Sequence, residues 1–126
     1  MTTMRQSPQE IYQFALKERE SDDPLEKRDA YGKGWLAVVI AIDDFLATKG
    51  YFIPRGDPEA HKERNDALGE LAMGDTEIWR LQEKFHAVRD SLHGDGFYYA
   101  NVSLALDRAL KETVNEILEL TGTLNG

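Results

Sequence analysis

The feature that most constrains this chain is an unbroken apolar run at residues 35–42, Trp-Leu-Ala-Val-Val-Ile-Ala-Ile. It lies in a longer segment, 31–46, that is apolar on nearly every side when it forms a helix. Such a helix must be buried around most of its circumference, since any exposed face would place apolar side chains in water. Gly32 and Gly34 each cost it about 1 kcal/mol relative to alanine, so we expect a neighbouring helix to approach closely there.

Helical periodicity extends along the whole chain. Apolar residues recur at steps of three and four in five segments, and no useful length alternates with a period of two. The predicted helix starts carry a capping residue, in three cases followed by proline, and the predicted helix ends carry glycine. The starts are at Ser7, Asp23, Asp57 and Asp75 or Thr76, and the ends at Gly50, Gly74, Gly94 and Gly122. The sequence therefore predicts an all-α antiparallel bundle of four main helices plus one additional short helix.

The turn between the last two helices is predicted from Gly94-Asp95-Gly96. Helix four is expected to end at His93-Gly94, and helix five to enter near Phe97 and run to Thr121-Gly122. Because the connection is short, we expect these two helices to be antiparallel neighbours.

Length and composition indicate one domain over residues 1–126. The absence of cysteine excludes disulfides, iron–sulfur clusters, thiolate zinc sites and a cysteine nucleophile. No hydrophobic signal core is present at the amino terminus, and the eight-residue apolar run is far short of the roughly 18 residues that span a bilayer. We expect a cytoplasmic protein with no membrane contact and no cofactor.

Charge disfavours non-specific binding to nucleic acid. Fifteen basic against 23 acidic residues give a net charge of −8, which repels phosphate backbones. The densest basic cluster is expected to be a solvated face. It contains Arg55, His61, Lys62 and Arg64. Asp43 and Asp44, which follow the apolar run, are expected to mark where helix two emerges into solvent, with a ligand pair as the alternative.

The residues best suited to chemistry lie together near the end of helix four. They are Glu83, His86, Arg89, Asp90 and His93. At 100° per residue they form one strip at the edge of the apolar face. An arginine can hold phosphate and a histidine can act as acid or base, so Arg89 and His93 are the candidate catalytic pair of a metal-independent ribonuclease.

Other interpretations of these side chains stay open. Arg89 can pair with a nearby carboxylate, and His93 can interact with the carboxyl end of the helix. His86, Asp90 and His93 have the spacing to hold a divalent cation from one helical face, but the motif context of a metalloprotease is missing and no metal site is predicted. The candidate ligand-binding or interface residues are Tyr31, Trp35, His86, Asp90, Tyr98 and Tyr99, although aromatic residues at helical spacing more often belong to a core.

Two stretches resemble the HEPN superfamily of α-helical bundles. They are residues 31–46, Tyr-Gly-Lys-Gly-Trp-Leu-Ala-Val-Val-Ile-Ala-Ile-Asp-Asp-Phe-Leu, and residues 85–99, Phe-His-Ala-Val-Arg-Asp-Ser-Leu-His-Gly-Asp-Gly-Phe-Tyr-Tyr. The helical pattern on which the resemblance rests covers most of residues 8–120. The resemblance implies the fold and dimerisation more firmly than nuclease activity, since many members of the family bind a partner rather than cleave nucleic acid. The family's signature separates arginine from histidine by four to six residues, whereas three lie between Arg89 and His93.

The function predicted from the sequence is a HEPN-like binding or assembly module, non-catalytic and self-associating as a homodimer. A cognate protein, such as one of the nucleotidyltransferase type, is the expected partner. The alternative is a toxin-type, metal-independent ribonuclease or nucleotide-binding protein that uses Arg89 and His93 across a dimer interface. RNA is the only nucleic acid expected, and only under that alternative.

Overall fold

One long helix, α2, is the axis of the computed structural model, which describes residues 7–54, 58–98 and 104–125. The described residues contain no strand, and five helical rods confirm the predicted all-α bundle. Two rods contain π-helical segments, in which each hydrogen bond spans five residues rather than four. The elements are α1 (Pro8–Arg19), α2 (Pro24–Thr48), α3 (Ala60–Ala72), α4 (Thr76–Val88), the first π segment (Arg89–Tyr98), α5 (Leu104–Arg108), the second π segment (Ala109–Thr113) and α6 (Val114–Asn125).

Most helix boundaries lie where the capping signals predict them, although the last rod continues past the predicted end at Gly122 to Asn125. Ser7 and Glu10 form a capping box at the start of α1, and Asp23 and Asp75 cap α2 and α4 with their carboxylates. Gly50 and Gly74 follow α2 and α3 with positive φ angles of 90° and 83°, a conformation that favours glycine.

The start of α3 differs from the prediction. This helix begins at Ala60, two residues after Pro58, because Pro58 and Glu59 form a turn ahead of it. The predicted cap, Asp57, lies outside the described residues.

The end of the fourth rod also differs from the prediction. The chain does not turn at Gly94-Asp95-Gly96 but continues from α4 through the first π segment to Tyr98. Since local turn signals report φ/ψ preferences and not hydrogen-bond span, they did not reveal this widened helix. The predicted entry of helix five near Phe97 is therefore wrong, and α5 begins at Leu104.

Helix α2 is buried on nearly every side, as its composition predicts. Seven of the eight residues at 35–42 are buried, and the exception, Leu36, is 45% exposed. Helix α1 packs along one side of α2, the first π segment and α6 pack along others, and α3 pairs with α4. Polar contacts secure the outer rods: the Tyr12 hydroxyl donates to the Lys111 carbonyl at 2.8 Å, and Arg19 donates to Asp107 at 2.6 Å.

Close packing at Gly34 explains one of the two glycines inside α2. A Cβ atom at this position would collide with Cδ1 of Leu110 and lie 3.4 Å from Cδ1 of Leu92. Both leucines are fully buried and come from the two rods that flank this part of α2. The predicted close approach of a neighbouring helix is therefore confirmed at Gly34.

Of the helices in the described ranges, none combines the length and the apolar character that crossing a bilayer requires.

A larger side chain at Gly34 should destabilise the bundle. We expect Gly34→Leu to lower the free energy of unfolding by about 1–3 kcal/mol, because it overpacks the contact with Leu92 and Leu110. Urea denaturation followed by circular dichroism measures this change. Gly69→Ala in α3 is the matched control, since its Cβ would meet only the Gln82 amide nitrogen, at 3.5 Å, and should raise stability by about 0.5–1 kcal/mol. Equal effects of the two substitutions would contradict the packing explanation.

Candidate functional site

A buried ion pair joins α2 to α3. Nε and Nη2 of Arg64 donate to the two carboxylate oxygens of Asp43, at 2.6 and 3.0 Å. The two side chains are only 3% and 8% exposed. A carboxylate in this position would be strongly unfavourable without a bidentate partner, so each residue requires the other.

The same arginine also contacts a histidine on its own helix. Nη1 of Arg64 lies 3.1 Å from Nδ1 of His61, which precedes it by three residues and therefore occupies a neighbouring position on the helix surface. Three contacts show how α3 lies against α2. His61 contacts Trp35, Arg64 contacts Asp43, and the hydroxyl of Tyr51, which follows α2, donates to Glu70, so α3 lies against the second half of α2 and the residues that follow it.

Trp35 gathers aromatic rings from three elements. Its ring stacks on Phe85 of α4 at 5.4 Å and on His93 of the first π segment at 5.2 Å, with interplanar angles of 20° and 26°. The His61 ring is tilted against it at 5.7 Å. The centroids of His61 and His93 are 6.0 Å apart. Trp35 is 7% exposed, whereas both histidines are half-buried, so the imidazoles lie nearer the surface than the indole.

Arg89 completes this arrangement, which we call the imidazole site and define as His61, His93 and Arg89. Arg89 is the first residue of the first π segment and its side chain is exposed. Burial lowers the pKa of His93 below the ordinary 6.5, and the charge of Arg89 lowers that pKa further. Burial also lowers the pKa of His61, as do Arg64, Arg89 and His93, while Asp43 acts in the opposite direction.

These charges give the imidazole site a local positive character in an acidic protein. Asp43 neutralises Arg64, both imidazoles favour the neutral form, and no ion pair joins Arg89 to any carboxylate in the described ranges. Imidazole and guanidinium N–H groups are donors that fit the oxygens of an anion. The site is therefore suited to hold an anionic group and to exchange a proton with it.

The structure brings together three of the residues singled out from the sequence. Arg89 and His93, the predicted pair, are close enough for the charge of Arg89 to act on the His93 ring. Trp35 stacks directly on His93. The spacing of three residues between Arg89 and His93 lies within the first π segment, so the strip calculated at 100° per residue does not describe it.

The other predicted residues do not join this cluster. Tyr31 is fully buried, and its hydroxyl donates to Asp107 at 2.6 Å, so it connects α2 to α5. His86 is half-buried on α4 with its ring tilted against Phe85, and Asp90 is exposed. Tyr98 ends the first π segment, but its side chain is outside the described set, as is all of Tyr99.

The alternative of a cation site at His86, Asp90 and His93 gains no support. In the parts of the chain that the structure describes, no three histidine, aspartate or glutamate side chains come together to hold a metal ion.

Sequence reasoning missed Asp43, His61 and Arg64. Asp43 was expected to mark the exit of α2 into solvent and Arg64 to lie on a solvated face, yet the two are buried against each other. The periodicity did indicate that both residues face the core. Asp43 follows Trp35 by eight residues on one helical strip, and Arg64 lies four residues from both Ala60 and Leu68. A carboxylate and a guanidinium on two apolar strips predict a buried pair between them.

Three comparisons with known proteins found no similar protein: no family model matches this chain, no curated protein matches it, and no solved structure matches it. The resemblance to HEPN proteins therefore remains a prediction.

Stability should decrease in mild acid because of the two histidines of the site. Their pKa values are lower in the folded than in the unfolded chain, so between the folded values and 6.5 the unfolded chain binds more protons. The free energy of unfolding should then fall as the pH decreases from 7.5 to 5, with the full contribution present above pH 6.5. Urea denaturation across this range measures the decrease.

A His61→Gln/His93→Gln double variant should show a smaller decrease over the same range. His86→Gln is the matched control, because it removes one imidazole from outside the site. The explanation fails if the double variant loses as much stability as the wild type between pH 7.5 and 5.

Proposed function

We propose that this chain is a helical binding module that takes a phosphate-bearing ligand at the imidazole site. The observation that supports it best is that two imidazoles from two rods lie close together, within the influence of one arginine charge. His61 and His93 are 6.0 Å apart, and the charge of Arg89 acts on both rings. A phosphate group could accept hydrogen bonds from both imidazoles and from the guanidinium.

The charges favour an anion over a cation as the ligand. Asp43, the acidic group that acts on His61, is held by Nε and Nη2 of Arg64. Arg89 would repel a metal ion and attract a phosphate. Since the whole chain carries a charge of −8, we expect a compact ligand such as a nucleotide or a short RNA end rather than a long duplex.

Binding should be coupled to protonation. Burial and positive neighbours keep both imidazoles below their ordinary pKa, and a bound phosphate would oppose this effect by favouring an imidazolium. The complex should therefore take up protons as it forms. Affinity should increase as the pH falls from 8 to 6.

Calorimetry with inorganic phosphate and with a nucleoside monophosphate tests this function. We expect tighter binding at pH 6 than at pH 8, and an affinity at least about tenfold lower for Arg89→Gln, because a hydrogen bond to a charged group is lost. Arg80→Gln is the matched control: it removes the same charge from the exposed face of α4, where Arg80 pairs with Glu77. Absence of phosphate binding in the wild type, or equal losses in both variants, would refute the proposal.

Metal-independent cleavage of RNA is a second candidate for the same site. Two imidazoles at 6.0 Å are the arrangement in which one ring can remove a proton while the other donates one. Gel analysis of a labelled RNA incubated with the protein in excess chelator tests this activity. Cleavage by the wild type and by His86→Ala, together with its loss in His93→Ala, is the expected result. Equal activity in all three, or none in the wild type, removes the candidate.

We also propose, on the resemblance alone, a HEPN-like architecture and a nucleotidyltransferase-type partner, and, on the composition and amino-terminal sequence, a cytoplasmic location. Self-association as a homodimer has support from three exposed apolar side chains. Phe52, Met73 and Trp79 are 79%, 83% and 56% exposed. Phe52 follows Tyr51, which contacts Glu70 near the end of α3, so Phe52 and Met73 lie at the same end of the bundle. Assembly through that end would leave the imidazole site, near the opposite end of α3, accessible.

A further inference from the structure

The guanidinium of Arg64 uses all three of its nitrogens. Nε and Nη2 hold the carboxylate of Asp43, and Nη1 lies 3.1 Å from Nδ1 of His61. Because this guanidinium is buried and held by two parallel hydrogen bonds, its third nitrogen has a fixed position and direction.

This contact determines which nitrogen of His61 carries the proton. An arginine N–H donates and never accepts, so Nδ1 of His61 must be the acceptor. The neutral ring then carries its proton on Nε2. Protonation of Nδ1 would remove the acceptor and place an imidazolium directly against a guanidinium.

We propose that Asp43 and Arg64 are positioning residues that hold His61 in its Nε2–H tautomer, so that His61 acts as a fixed, neutral hydrogen-bond donor of the imidazole site. This inference rests on the proposed function for its role in binding, but the tautomer itself is a property of the ligand-free protein. Asp43 orients Arg64, and Arg64 orients and sets the tautomer of the ring.

The two imidazoles thereby acquire different roles. His61 can give its Nε2–H to a phosphate oxygen without any change in its contact with Arg64. Taking up a proton would cost His61 that contact, so the proton that accompanies anion binding is assigned to His93. The charged and titratable groups that act on His61 are Asp43, Arg64, Arg89 and His93, and of these only Asp43 opposes the neutral form.

Long-range proton–nitrogen NMR of the full chain labelled with ¹⁵N-histidine tests the tautomer. His61→Gln, His86→Gln and His93→Gln variants assign the three rings. At pH 7.5 we expect Nε2 of His61 to have the chemical shift of a protonated nitrogen and Nδ1 that of an unprotonated one. An Nδ1–H tautomer, or an averaged mixture of the two, in the wild type would overturn the proposal.

Arg64→Lys separates positioning from charge. Lysine keeps the positive charge but cannot form the bidentate pair and reach His61 at the same time, so the ring should become a mixture of tautomers while the signals of His86 stay unchanged. The affinity for inorganic phosphate should fall about tenfold or more in Arg64→Lys, and to a similar extent in His61→Gln. An unchanged tautomer in a folded Arg64→Lys would overturn the positioning role.

An Asp43→Asn/Arg64→Gln double variant provides a second measurement if Arg64→Lys does not fold. It replaces the buried ion pair by a neutral amide pair. Arg64 lowers the pKa of His61 more than Asp43 raises it, so the double variant should raise this pKa and leave that of His93 unchanged. If His61 shows the Nε2–H tautomer but phosphate does not bind, the proposed function fails and the positioning role stands. If phosphate binds but the tautomer is averaged, the positioning role alone fails.

Discussion

The structure depends on the burial of one helix around nearly its whole circumference. Where α2 is buried its polar side chains are out of contact with water, so each buried polar group on it needs a partner from another rod. Helix α2 carries such polar groups on two strips. Each of them forms a hydrogen bond with a residue that is distant in sequence. The Tyr31 hydroxyl reaches Asp107, and the Asp43 carboxylate reaches Arg64. These two contacts therefore fix how the outer rods lie against the axis, in addition to the apolar packing.

The ion pair between Asp43 and Arg64 connects the core to the candidate site. It fixes the rotation of α3 about its own axis. Because His61 lies one turn before Arg64 on this helix, the same rotation directs His61 toward Trp35. Trp35 in turn stacks on His93, which comes from the rod that continues α4. A buried ion pair adds little net stability compared with an apolar pair of similar volume. The positioning role proposed for this pair therefore accounts for it better than stability does.

The fold could be predicted further than the site. Periodicity and capping residues identified the five rods, because both are local properties of the chain. The site depends on pairs that are distant in sequence: Asp43 and Arg64 are 21 residues apart, and Trp35 and His93 are 58 apart. A charged residue after an apolar run usually lies in water, so the local pattern placed Asp43 there. If α2 had been assumed to be buried at Asp43 as well, this carboxylate would have required a cation opposite it.

The spacing of Arg89 and His93 illustrates a second limit. Counting residues between them assumes an α-helix, in which each residue advances by 100°. From Arg89 onward the helix is wider and turns through a smaller angle per residue, so the number of intervening residues no longer specifies which side chains share a face. The spacing of three therefore neither establishes nor excludes a functional pair. The relevant observation is spatial: His93 of this rod and His61 of α3 lie 6.0 Å apart, and the charge of Arg89 acts on both rings. No spacing rule along one helix could predict an imidazole that comes from a second rod and is held in place by a buried arginine.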